Sequence, residues 1–178
     1  MSKLTVEQIE RVVIDAGAVY VNYGLTDERL LAPCRGNNTF LVEAEIREVE
    51  MNGTKGKTKG ARRKISENAS LAVNLMDLSL ENLKMALPGS RITADELTNG
   101  WKIDSSDYIE NITLIGQNMG GEFKKITIYN ALSDDSLSVD FNEKDESVLG
   151  ITFSAHYDPA DSSDKIWAIK DLATEPAQ

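Results

Sequence analysis

The chain has 178 residues, 41% hydrophobic and 27% charged, and carries a formal net charge of −10. That length suits a single core, the charged fraction is ordinary for a folded domain, and no apolar run approaches the roughly 18 residues of a membrane-spanning helix. One cysteine, Cys34, excludes an internal disulfide framework and a cysteine-built zinc site, and the acidity excludes a general nucleic-acid coat.

In chain order, the first ten residues are polar and include Glu7 and Glu10, a start that predicts neither a signal nor a transit peptide. The dominant hydrophobic period thereafter is two, the period of a strand with one buried face. Residues 18–23 read as a short strand with Val19, Val21 and Tyr23 on one face. In 39–50, Phe40, Val42, Ala44 and Ile46 alternate with Glu43, Glu45 and Arg47, which predicts a half-buried antiparallel strand. Asn52-Gly53 turns the chain, and the next strand is expected from 65 to 76, with Ala69, Leu71, Val73 and Leu75 inward. The intervening segment, 51–64, is therefore expected to be a long Gly- and Lys-rich loop.

Residues 78–87 break the alternation and predict a helix: Ser79 is placed to cap it, Glu81 suits its first turn, Leu80, Leu83 and Leu87 form a stripe, and Pro88-Gly89 stops it. Thr93 to Glu96 has capping-box spacing for a short helical turn. Strands follow at 108–115, 123–132, 136–141 and 147–157, the last with Leu149, Ile151, Phe153, Ala155 and Tyr157 on one face, and a final strand is expected at 165–170 around Trp167. There is no tandem repeat and no linker long enough to divide the chain. The fold class is mainly β, a β-sandwich or partly closed barrel with one flanking α-helix, in a single domain over 1–178.

The charge is polarised. Residues 134–178 hold eleven acids against Lys144, Lys165 and Lys170, whereas 51–65 hold six bases and no acid. Those bases, Lys55, Lys57, Lys59, Arg62, Arg63 and Lys64, set a +6 segment against a remainder of −16. No aromatic is interleaved among them, so they offer no stacking platform for a single strand. A long basic loop facing an acidic body suits contact between copies, with a solvated loop as the plain alternative.

Catalytic signals are thin. His156 is the only histidine and is expected on a strand, facing away from Phe153 and Tyr157. A Cys34 thiolate would need it as a base, and no spacing brings the two together. Gly56-Lys57-Thr58 resembles the end of a phosphate-binding loop, but Met51 occupies the first glycine position and a strand, not a helix, follows. Neither a catalytic set, a metal site nor a cofactor site is expected. Trp101 and Trp167 are read as core residues.

The stretches Asp15-Ala16-Gly17-Ala18-Val19-Tyr20-Val21-Asn22-Tyr23-Gly24 and Arg35-Gly36-Asn37-Asn38-Thr39-Phe40 resemble the opening of the major tail proteins of long-tailed, non-contractile bacteriophages and related prophages. The likeness continues through Glu45-Ile46-Arg47-Glu48-Val49-Glu50, Gly60-Ala61-Arg62-Arg63, Asn74-Leu75-Met76 and Tyr157-Asp158-Pro159. The resemblance implies a β-sandwich with a flanking helix. Six copies form a ring, rings stack into a hollow tail tube, and sheets of adjacent subunits join edge to edge around the lumen. A long loop reaches a neighbour, a role that would fall to Lys55, Lys57, Lys59, Arg62, Arg63 and Lys64.

It also implies a non-enzymatic virion protein, assembled in the host bacterial cytoplasm around a tape measure protein and joined by tail-tip and tail-terminator proteins. Double-stranded DNA would pass through an acidic lumen during ejection. Alternatives are a terminator, tail-tip or injection-machine tube protein of the same fold, or a β-sandwich module binding carbohydrate or nucleic acid.

Overall fold

The computed structural model describes residues 5–13, 17–31, 33–49, 52–53, 55–139, 147–161, 163 and 165–172. After a short helix α1 (Val6–Glu10) come strands β1 (Ala18–Val21), β2 (Arg29–Leu30), β3 (Thr39–Glu48) and β4 (Arg62–Leu75), then helix α2 (Leu80–Ala86). A small hairpin, β5 (Arg91–Thr93) and β6 (Glu96–Thr98), precedes β7 (Ile109–Gln117), β8 (Phe123–Ser133), β9 (Leu149–Ser154) and β10 (Trp167–Leu172).

All pairing is antiparallel, and apart from the separate β5–β6 hairpin it falls into two sheets that share β8. One runs β2-β1-β7-β8 with β10 on the far side of β8; the other runs β3-β4-β9 and joins the last residues of β8. The sheets are not closed into a barrel.

The handover occurs at Tyr129 and Asn130. Tyr129 donates its N–H to Ile166 O (2.9 Å), beside β10, and accepts from His156 N–H (3.2 Å), beside β9. Asn130 is left-handed, φ 48°, a conformation that asparagine tolerates better than most residues. Its side-chain amide donates to His156 O (3.2 Å), and its own carbonyl lies 3.1 Å from His156 Nδ1. Leu132 and Ser133 then pair with Ser154 and Phe153. A sandwich corner made by a strand that changes sheets needs such a bend.

The core lies between the sheets. The alternation read in the sequence is matched rung by rung: Leu71 opposes Phe153, Val73 opposes Ile151 and Leu75 opposes Leu149, and all six are buried. Val19, Val21, Ile112 and Ile128 face them from the other sheet, and Ala86 and Leu83 of α2 close one side. Thr113 Oγ1 pairs with Thr127 Oγ1 across the β7–β8 rung at 3.0 Å, within the core.

Several expectations change. The basic loop is shorter than 51–64, because Arg62, Arg63 and Lys64 already pair with Glu48, Arg47 and Ile46. Ala44 and Ile46 are exposed, since β3 and β4 run past the core. The Ser79 hydroxyl makes no cap; ahead of the helix, the Asp77 side chain takes the Ser79 N–H at 3.0 Å. Thr93 and Glu96 face each other across a hairpin whose loop bears Ala94 at φ 54°, because a four-residue spacing also fits a two-residue hairpin loop.

Residues 136–139 form no strand, though Leu137 and Val139 pack on the core; 140 and 141 lie outside the described residues. Strand β9 stops at Ser154, so His156 is beyond it, drawn to Tyr129 and Asn130. Trp101 is 97% exposed, not core: Gly100 lies against Gly89, where an added Cβ would sit 1.9 Å from the Gly89 oxygen, and the next side chain is turned outward.

Two stability tests follow from this packing. Phe153→Ala should cost about 3–5 kcal/mol in chemical denaturation, the range for emptying a well-packed aromatic site. Asn130→Val should cost about 1–2 kcal/mol more than Asn130→Gly, because valine resists the left-handed backbone that glycine accepts.

Candidate assembly interface

Strands β3 and β4 form an arm. Burial alternates in β4 only from Ala69 onward, and of the preceding seven residues all but Glu67 are exposed. At about 3.3 Å per residue they extend the hairpin roughly 23 Å beyond the core. Both faces of that extension meet solvent: Ile46, Val49 and Ile65 are each about half exposed. A β-bulge between Glu45 and Ile46 twists the arm. Near the tip Val49 donates to Ala61 O at 2.8 Å, and Ala61 is buried.

All six predicted site residues lie on this arm: Lys55, Lys57 and Lys59 in the exposed tip, Arg62, Arg63 and Lys64 in β4. Lys64 Nζ bonds Glu67 Oε1 at 2.7 Å. Among the described residues, the other five make no ion pair. Sequence reasoning passed over Arg47 as a site residue. It stands directly opposite Arg63, and the two line one shallow cleft of about 350 Å³ with Val49, Lys64 and Ile65. Strand register was the missing signal.

At the base of the arm lies a groove of opposite character, about 470 Å³, whose lining includes Leu41, Glu43, Glu67, Asp134, His156 and Tyr157. Glu43 makes no ion pair among the described residues, and Asp134 Oδ2 is 3.9 Å from His156 Nε2. Leu41 and Tyr157 are about half exposed within it. The outer edges of β3 and β10 carry no strand among the described residues, so their backbone groups are open to further pairing.

The remaining candidates assemble no chemistry. Cys34 pairs with Leu75 in a backbone bridge, and burial pushes its thiol above the ordinary value against a smaller opposing effect of Asn38, the reverse of what a nucleophile needs. His156 is held against Asn130 and edge-on to Tyr108. Among the described residues no group of three His, Cys, Asp or Glu side chains is placed to hold a metal, and no helix is long and apolar enough to cross a membrane.

No family model and no curated protein sequence matches the chain. Among solved structures, one similar fold is the tail of an empty GTA particle, computed with helical refinement in C6 symmetry: 12% identity, 80% of this chain and 92% of that one covered, TM-score 0.41.

Glu67 lies where the arm leaves the sandwich. It bonds Lys64, and Trp167, which packs edge-on to Phe40 with ring centroids 6.0 Å apart, adds a smaller stabilising effect on its carboxylate. The hydrogen bond from Lys64 is the largest cause holding the Glu67 carboxyl below its ordinary 4.5. A carboxyl whose folded value is lowered stabilises the fold in full above its unfolded value and loses that contribution as pH falls through the folded one. Glu67→Gln should therefore lower the melting temperature at neutral pH, and the gap from the wild type should shrink as pH drops below about 4.5. Melting curves across pH 3–7 check this.

Proposed function

We propose that this protein is a structural building block of a bacteriophage tail, polymerising as rings of six that stack into the tail tube through which DNA is delivered. The observation that carries the reading is the arm: a hairpin some 20 Å past the core, exposed on both faces, whose cations other than Lys64 make no ion pair among the described residues, above an acidic body. A hairpin that buries neither face against its own chain gains stability only against something else. Open edges on β3 and β10 supply a second means of joining copies, and ring closure satisfies such edges. The sequence resemblance to major tail proteins points the same way.

In this reading the chain has no catalytic role. Lys55, Lys57, Lys59, Arg62, Arg63 and Lys64 contact the adjacent subunit, and the acidic excess lets double-stranded DNA slide without adhering. The tape measure, tail-tip and tail-terminator proteins are its partners in the virion, after assembly in the host cytoplasm. Terminator, tail-tip and injection-machine tube proteins share the architecture, so copy number per particle separates the roles: hundreds for a tube, a few for the others.

Replacing Lys55, Lys57, Lys59, Arg62 and Arg63 with Ser should abolish or sharply reduce rings and tubes in electron micrographs of concentrated protein, while circular dichroism and melting temperature stay near wild type. Unchanged tube yield would reduce the tip to a solvated linker.

A further inference from the structure

We infer that Arg47 and Arg63 form a paired receptor for carboxylates of a second copy of this chain, and that the groove bearing Glu43 and Asp134 supplies them. The inference rests on the assembly reading above and names the two surfaces that meet.

The first ground is a mismatch in the arm's own register. Its other charged rung is complementary, Glu48 against Arg62, and flanking polar groups are satisfied: Ser66 Oγ donates to Glu45 Oε2 at 3.1 Å, and Lys64 bonds Glu67. Arg47 opposite Arg63 is the exception. Directly opposed like charges destabilise a hairpin, and neither guanidinium has an ion-pair partner among the described residues. An acceptor inserted between them turns that repulsion into a bridge, and a guanidinium pair presents two forks suited to carboxylates.

The second ground is complementarity. The cleft beside the arginines places Val49 and Ile65 among cations; the groove places Leu41 and Tyr157 among Glu43, Glu67 and Asp134. Each surface is an apolar strip flanked by one sign of charge, and the signs are opposite. Both occur on every subunit at different sites, so the contact is heterologous: the arm of one copy meets the groove of the next, and the series continues until it closes or extends as a filament. A polyanion such as DNA would satisfy the arginines but leave the apolar strip and the acidic groove unused.

Charge exchange tests this. Arg47→Glu/Arg63→Glu reverses the arm, and Glu43→Arg/Asp134→Arg reverses the groove. Each variant alone should need a concentration about thirtyfold or more above wild type to assemble, read by sedimentation and electron microscopy. An equimolar mixture of the two, or all four changes in one chain, should restore assembly, because each arm again meets an opposite groove. Recovery in the mixture also shows that both variants fold; Arg47→Gln/Arg63→Gln, which removes charge without reversing it, should fall between.

Assembly of either reversed variant at the wild-type concentration overturns the pairing and leaves the tail reading intact. Failure of the mixture to recover overturns the choice of groove. Loss of DNA retention in a gel shift with assembly unchanged makes the arginines a polyanion site and overturns the proposal. Wild-type protein that forms no rings or tubes, even with a nucleating tail tip, overturns the tail reading itself.

Discussion

The constraint on which the molecule depends is the left-handed turn at Asn130. Without it β8 would continue in one sheet, and β9, β4 and β3 would have no strand on which to register against the other. Two hydrogen bonds between Asn130 and His156 hold the turn, and Tyr129 serves β10 with its N–H and the chain beyond β9 with its carbonyl. The only histidine is thus a brace for a sheet corner, a use of imidazole that needs its geometry more than its charge. Everything on the β3–β4 side, arm and groove included, is placed by that corner.

From there the logic is one of unequal burial along continuous strands. The proximal half of β4 belongs to the core, with Leu71, Val73 and Leu75 almost inaccessible, while its distal half has no inner face at all. Glu67 sits at the boundary, bonded to Lys64 on its own strand, while Trp167 of the opposite sheet packs against Phe40 of β3. The arm is therefore anchored where it leaves the body and free beyond. Charge follows the same division in part: cations gather where burial ends, although Glu45 and Glu48 of β3 accompany them on the arm.

Much of this was legible in the sequence. Period-two alternation located β1, β3, β4, β7, β8, β9 and β10 to within a few residues, and it named Leu149, Ile151 and Phe153 as one inward face. The basic segment marked the tip of the arm by composition, but the loop expected over 51–64 ends before Arg62, where β4 begins. What stayed hidden depends on register and on long-range approach. The facing of Arg47 and Arg63 exists only once β3 and β4 are aligned across a bulge. The role of His156 requires Asn130, twenty-six positions earlier. Alternation also overstates burial, because Ala44 and Ile46 keep the pattern of an inner face after the body has ended. Trp101 misled for the opposite reason, since a large aromatic residue is ordinarily buried and here the Gly89–Gly100 contact turns it out.

The continuity of β4 has a mechanical consequence. It runs fourteen residues, about 46 Å, from the arm into the centre of the body without a break. A pull on the arm acts along the strand axis, across hydrogen bonds that lie perpendicular to it. The rungs from β4 to β9, Ser70 to Leu75, then bear load together in shear, and none can open ahead of its neighbours as it would if the strand were peeled from one end. A hairpin joined to its body through one uninterrupted strand works as a tether, resisting tension along its length while remaining free to bend sideways.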